Sequence, residues 1–458
     1  MKMEFKVELP VFKEKEVNLL DYKPVANKAD LETSKHNALV INKAIKDLSE
    51  NGGGKLVIPA GLWITGPINL LSGVELHIER NAILKFSKNP EEYPLIVTNY
   101  EGQDCIRAVS PITAINATNI AITGDGVIDG SGDEWRPIKE FKLTARAWQE
   151  NLKKSDCVLD TKEGGVWFPT KTAFDGNTHN IQLAFEGKED AEVLKLATPY
   201  YDFYRPVLIS LKHCDKVLLQ GVTFKNSPAW NIHPYFCTNL TVDSINVNNA
   251  YHAQNGDGID IESCKNVEVK NSRFETGDDA ICLKSGKNAI ARTITGPSEN
   301  IYIHDCLVNE GHGGFVIGSE MSRGIKNVWV DNCTFLGTDV GVRMKSALGR
   351  GGVVENINIE NVNMVGIKNE GVIMTMSYVL NSLNRNETIA KENEEDIPFF
   401  KNININNVNC VGAKHSVKIE PLEGRMDTIS NVNITNSRFE DCGEALIKGE
   451  NINIAKLL

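Results

Sequence analysis

The feature that most constrains this chain is a loose internal repeat. The segments CDKVLLQGVTFKNS, CTNLTVDSINVNNA, CKNVEVKNSRFETG, IKNVWVDNCTFLGT, VENINIENVNMVGI and ISNVNITNSRFEDC share one form: a small or polar pair, a short alternating strand, an Asn or Gly corner, and a second short strand. The head asparagines fall at 239 and 266, then at 300, 327 and 356, giving intervals of 27, 27 and 29 residues. Such an interval is too long for a hairpin. Period-2 alternation with β-branched residues argues for strands, and no helical stretch of about 10 to 15 residues separates them, which excludes βαβ units. A repeat of roughly 20 to 50 residues built from short strands alone stacks into a solenoid, each coil burying its inner face on the next. The expected fold class is therefore all-β, a parallel β-helix, with corner asparagines in left-handed conformations bonding from coil to coil.

A solenoid end must be covered, because exposed strand edges recruit other chains. Ala38, Ile41, Ala44, Ile45 and Leu48 recur at helical spacing and Gly52 to Gly54 halt the run, which predicts an N-terminal capping helix. The repeat and its cap read as one domain over residues 1–458, interrupted twice: a polar and aromatic insertion at about 137–205 and a charged loop at about 379–397. Segments this long outside the repeat are as a rule functional or disordered, and both are expected to run over one face of the solenoid.

Composition narrows the partners. A formal charge of −11 argues against nucleic acid, which needs a basic face. Between Lys284 and Arg350, however, eight Lys and Arg meet six Asp and Glu, so a local basic pocket for an acidic sugar is compatible with an acidic protein. No apolar run approaches the roughly 20 residues of a membrane span. The N-terminus lacks a secretory h-region, so the expected location is cytoplasmic. Ten cysteines without a CxxC pair, several at the repeat interval, read as small core fillers.

Four motifs fall on successive coils. QNGDGIDIES carries Asp257, TGDDAI carries Asp278 and Asp279, EGHGGFVIG carries His312, and GVRMKS carries Arg343 and Lys345. One coil apart means adjacent strands, about 4.8 Å per step, so three carboxylates gather on one face. Arg343 and Lys345, two apart on a strand, point the same way. Consecutive strand residues point oppositely, so Asp278 and Asp279 both reach a cleft only at a turn or bulge, which Gly277 would permit. Clustered carboxylates push one another's pKa values apart, leaving one as acid and another as base, the division that glycosidic cleavage needs. Taken singly, each motif also fits an ordinary solvated turn or a structural histidine; their occurrence together at matching repeat positions favours chemistry.

With these residues in place, the chain resembles glycoside hydrolase family 28, the polygalacturonases, whose signatures Asn-Thr-Asp, Gly-Asp-Asp, Gly-His-Gly and Arg-x-Lys read here as Asn255–Asp257, Gly277–Asp279, Gly311–Gly313 and Arg343–Lys345. The likeness also takes in NGGGKLVIPAGLWITGPINLLSGVELHIE, ITGDGVIDGSGDEW and GVTFKNSPAWNIHP, and runs from about residue 18 onward. It implies a right-handed parallel β-helix and inverting hydrolysis of α-1,4-galacturonosidic bonds in pectic oligosaccharides or polysaccharides, with no cofactor and no metal. Asp278 would be the general acid, Asp257 and Asp279 would position and activate water, and His312 would help to hold the protonation state of the acid. Asn255, Arg343 and Lys345 would bind substrate, with Lys284 and His233 as further contacts. Acid and base would stand roughly 6.5 to 9.5 Å apart. Gly256 replaces the family's threonine; the extra loop GKNAIARTITGPSEN, together with the 137–205 insertion, suggests a cleft walled at one end, and VIGSEMSRGIKNV and GVRMKS resemble the bacterial exo-acting branch, which implies exo cleavage. Competing readings are hydrolysis of rhamnogalacturonan or other uronate fragments, a calcium-dependent pectate lyase, and a non-catalytic carbohydrate-binding β-helix.

Overall fold

Residues 5–178, 188–294, 296–378 and 393–455 are described by a computed structural model. Two long sheets dominate, one of 22 strands and one of 11, and every strand pair within them is parallel. A typical coil reads Lys265–Lys270, Arg273–Glu275, corner, Asp279–Lys284. Register fixes the repeat: Thr238 pairs with Lys265, and Leu240, Val267, Ile301, Val328 and Ile357 stack in line from coil to coil, all buried. Inward side chains from Leu19 to Ile434 form one continuous apolar core. The chain is thus a parallel β-helix.

The corners behave as the alternation predicts. Asn239, Asn266, Asn300, Asn327 and Asn356 all take positive φ, between 52° and 57°. Their amides form a ladder, Asn300 Nδ2 donating to Asn266 Oδ1 at 3.1 Å and Asn356 Nδ2 to Asn327 Oδ1 at 3.2 Å. Asparagine tolerates the left-handed region and satisfies its own amide there. Helix α1, Leu31–Glu50, is capped by Asp30, whose side chain accepts from Thr33 N, and packs Ile41, Ala44, Ile45 and Leu48 onto the first coil. All ten cysteines are free, and Cys214, Cys237, Cys264, Cys282, Cys306 and Cys333 are buried.

The two interruptions differ from a plain surface excursion. Within 137–205 the described residues fold into a three-stranded antiparallel sheet and the helices α2, Ala145–Leu152, α3, Lys171–Thr178, and α4, Asp190–Ala197. Ile138, Trp148 and Trp167 give this part an apolar cluster of its own. Of the loop at 379–397, residues 379–392 lie outside the described residues, and Glu394–Asp396 form a single 3-10 turn. The extra loop before Glu299 contains the short helix Asn288–Arg292. No described helix is long and apolar enough to cross a membrane.

Candidate active site

The 11-stranded sheet positions the chemistry. Ile259, Ile281, Phe315 and Val342 stack inward in register along it. One residue earlier, Gly258, Ala280, Gly314 and Gly341 also face the core: a Cβ on Gly314 would lie 2.5 Å from Phe335 Cγ, and one on Gly341 2.1 Å from Met364 Sδ. Two successive inward residues mark the bend at which each strand begins. The residue before them, Asp257 or Asp279, is thereby turned out onto the face. Gly277 contributes by close approach and not by a special torsion, since a Cβ there would meet the Ala253 and Ala250 carbonyl oxygens at 2.5 and 2.7 Å.

Asp257, Asp278 and Asp279 bring one oxygen each within 4.8 Å of one another. Asp279 is nearly sealed, and its two oxygens are answered separately: Arg343 Nη1 donates to Oδ1 at 3.0 Å and Lys345 Nζ to Oδ2 at 2.7 Å. His312 Nδ1 stands 3.0 Å from Asp278 Oδ1. Asp257 is buried with its Oδ1 unpartnered. Three such carboxylates resemble a donor set for a hard cation, yet both oxygens of Asp279 already hold fixed cations, and that charge opposes a divalent ion. The residues present do not fit a metal site.

The electrostatics separate the three acids. Burial, reinforced by the charges of Asp260 and Asp278, pushes the Asp257 carboxyl well above the usual range. Burial also pushes Asp279 up, but Lys345 and Arg343 outweigh it and hold the group below its ordinary value. For Asp278 burial is outweighed by His312, taken as a cation, and by Lys345 and Arg343, so the carboxyl is held low. With His312 neutral instead, three carboxylates against Arg343 and Lys345 leave one negative charge, which one shared proton neutralises. Burial and its acidic neighbours favour Asp257 as the carrier of that proton, whereas the family pattern assigns it to Asp278.

Two expected contacts belong elsewhere. Lys284 is 5 % exposed, 3.1 Å from Glu320 Oε2 and 3.6 Å from Asp260 Oδ1, with its ammonium over the Trp230 ring. His233 is 1 % exposed and its Nε2 lies 2.9 Å from Glu262 Oε2. Both are engaged in a buried charge layer under the face, with little side-chain surface left exposed. Arg343 and Lys345 serve Asp279 first; Arg343 keeps 21 % of its side chain exposed against 7 % for Lys345, so Arg343 has the freer edge for a sugar carboxylate. Asn255 lines a cavity, its Oδ1 accepting from Arg205 Nη2 at 2.9 Å. The separation of acid and base is also shorter, measured between nearest oxygens, than the spacing expected from the resemblance.

Several site residues carry no motif. Lys142 reaches from the insertion to His312 Nε2 at 3.2 Å, and Asp339 Oδ2 lies 3.8 Å from the same nitrogen. Arg205, also from the insertion, donates to the Pro228 and Gln254 carbonyls, both at 2.9 Å, and so braces the turn that leads to Asp257. Tyr378 lies under the cations of Arg343 and Lys345. Lys142 gives no signal because 170 residues separate it from His312, while Asp339 stands one coil from His312 without a motif to mark it.

The face is walled on one side. The antiparallel hairpin Leu95–Tyr100 and Gln103–Ala108 leaves the coil of Ile112–Ile115 and ends with the Gly102 carbonyl accepting from Lys287 N at 3.1 Å. Its six-residue arms span about 20 Å, matching the four strand steps, about 19 Å, from Ile112 to the strand Asp279–Lys284. Between hairpin, insertion and Asn255 lies a cavity of about 810 Å³, lined among others by Tyr100, Arg107, Trp135, Phe168 and Arg205. It adjoins the carboxylates without containing them.

The chain is similar to known proteins in sequence and fold. The model of the family described as Glycosyl hydrolases family 28 matches residues 202–440. The exo-poly-alpha-D-galacturonosidase of Dickeya chrysanthemi is 29 % identical over 385 residues, covering 82 % of this chain and 60 % of that protein. The chain thus spans about three fifths of that relative's length. An endo-polygalacturonase of Pectobacterium carotovorum subsp. carotovorum is 30 % identical over 344 residues, 72 % of this chain and 70 % of that one. Among solved structures, a hyperthermoactive exopolygalacturonase from Thermotoga maritima superposes with a TM-score of 0.77 at 30 % identity, over 99 % of this chain and 93 % of that chain.

Proposed function

The chain belongs to family 28 of the glycosyl hydrolases, and from that premise we propose that it hydrolyses α-1,4-galacturonosidic bonds of pectic oligosaccharides from a chain end, with inversion. The observation that carries the end-wise reading is the hairpin strap closing on Lys287, which walls one side of a cavity lined by Asn255, two residues from Asp257. On this reading the wall stops a polymer from running past the carboxylates, and a terminal sugar enters the cavity. The exo-acting relatives support the same reading.

Asp278 donates a proton to the leaving oxygen while Asp279 and Asp257 take the proton of the attacking water. Both oxygens of Asp279 are bound to cations, which makes it a fixed anion and a poor nucleophile, and this favours a water attack over a covalent intermediate despite the short oxygen separation. The shared proton must move from Asp257 to Asp278 before cleavage. Arg343 offers its exposed edge to a galacturonate carboxylate by charge-assisted hydrogen bonds.

Chromatography of products from polygalacturonic acid and a tri-galacturonide tests this. Saturated monomer from the first minutes is the expected result, with the anomer of inverted configuration in early proton NMR spectra. A ladder of oligomers overturns the end-wise reading, an ultraviolet-absorbing unsaturated product overturns hydrolysis, and no turnover of either redirects the assignment to other uronate-containing fragments.

A further inference from the structure

Lys142 lies at the end of a 3-10 turn in the insertion, on no motif, yet its ammonium is the best-satisfied group in the site. Nζ has three acceptors: the Gly277 carbonyl at 2.9 Å, the Tyr251 carbonyl at 3.2 Å and His312 Nε2 at 3.2 Å. It also sits over the Tyr251 ring, 4.8 Å from the centroid. A lysine ammonium has three protons and no acceptor capacity. All three protons are therefore used, and the nitrogen of His312 that faces Lys142 must present a lone pair.

That requirement fixes the rest of the ring. With Nε2 an acceptor, the single proton of the imidazole is on Nδ1, which points at Asp278 Oδ1, 3.0 Å away. The surrounding charges are Asp278 and Asp339 on one side of the balance and Lys142 and Lys368 on the other; Lys368 itself is held 3.0 Å from Asp339, which blunts the pull of Asp339 on Nε2. An imidazolium at His312 would have to direct an N–H at the ammonium of Lys142.

We propose that Lys142 is a positioning residue that fixes His312 as the neutral Nδ1–H tautomer, so that the ring orients Asp278 without holding it ionised as a cation would. This rests on the hydrolase reading above and deepens it. A cationic His312 is the first of the influences that outweigh burial and hold the Asp278 carboxyl low, ahead of Lys345 and Arg343; a neutral one weakens that hold and eases transfer of the shared proton from Asp257. The insertion, by this account, sets the protonation state of the catalytic acid as well as walling the cavity.

Imidazole ¹⁵N NMR on the full chain at pH 7.5, with His312 assigned by comparison with His312→Gln, reads the tautomer without any substrate. In the parent and in Lys142→Arg, His312 should show an unprotonated Nε2 and a protonated Nδ1; in Lys142→Met, Nε2 should carry a proton. A protonated Nε2 in the parent overturns the proposal, and so does an unaltered ring in Lys142→Met; should that variant fail to fold, the parent spectrum alone decides. The acid limb of kcat/KM on a tri-galacturonide should move up by about one pH unit in Lys142→Met, so that its deficit deepens roughly tenfold per unit as pH falls, with Arg restoring the parent profile. An equal loss at every pH would make Lys142 a structural brace and defeat the proposal. If the spectra agree but no galacturonide is cleaved, it is the substrate reading that fails.

Discussion

Two rows of charge lie side by side on one sheet and have opposite fates. Asp257, Asp278 and Asp279 sit where the strands begin, at the edge of a cavity, with Arg343, Lys345 and His312 as partners. Asp260, Glu262 and Lys284 sit a few residues further along the same strands, beneath Trp230, joined to Glu320, His233 and Arg323. Residue types are the same in both rows. What separates them is cover: the first row opens to the surface through Asp278, His312 and Arg343, which keep a fifth or more of their side chains exposed, while the second has no such opening, so its charges answer each other. A charged residue on a β-helix face is thus a catalytic candidate only once its lid is known.

The comparison breaks most sharply through Asp278→Asn. Removing the acid should lower kcat by about a thousandfold, the middle of the range for general acid–base catalysis, while leaving the thermal midpoint near that of the parent. Steady-state kinetics beside a melting curve checks both halves. The mirror experiment is Lys284→Met, which strands the carboxylate of Glu320 in a sealed layer; urea unfolding should show a loss of about 3 to 5 kcal/mol, and the KM of protein still folded should be unaltered. A raised KM with little loss of stability would return Lys284 to the substrate side and merge the two rows.

How much of this contrast is legible in the sequence follows from the range of each signal. The coils, their Asn corners and the cap are written in local periodicity, and so are the three aspartates, whose spacing of 21 and 22 residues is one coil. Lys284 and His233 are misplaced by the same reasoning because strand alternation says only that they leave the core; whether water or protein lies above them depends on a hairpin more than 100 residues earlier. Lys142 is invisible for the same reason, since 170 residues separate it from His312. Spacing along a solenoid predicts what stacks, but it is silent on what folds over the stack.

The lid itself can be loosened. Gly102 at the hairpin tip has φ +71°, and a Cβ there would lie 2.6 Å from Lys287 N and 2.7 Å from the Gly286 carbonyl carbon. Gly102→Val should lift the tip off Lys287 with a stability cost of about 1 to 3 kcal/mol. If the strap is what blocks the groove, di- and tri-galacturonide should join monomer among the early products of polygalacturonic acid. A product pattern still confined to monomer would assign the closed end to the insertion alone.

The smallest effect is the most discriminating about the covered row. Asp260 is fully buried with neither oxygen hydrogen-bonded, and burial, helped by Asp279 and Asp278 against the opposing pull of Lys284, pushes its carboxyl well above the ordinary 3.8. A carboxyl raised on folding contributes stability that is fully present below its unfolded value and is lost as pH rises through the folded value, at about 1.4 kcal/mol per pH unit while the two states differ by one proton. Glu320 runs the other way: Lys284 and Arg350 outweigh burial and hold it low, so its contribution is present above its unfolded value of 4.5 and fades only as pH falls below it. Above pH 5 Glu320 is therefore constant and Asp260 varies. Asp260→Asn, which cannot ionise, should gain on the parent in urea midpoint between pH 5 and pH 8. A constant gap would mean that Asp260 is already ionised at pH 5 and forms a true ion pair with Lys284, in which case the covered row is held together by the same charge pairing as the open one.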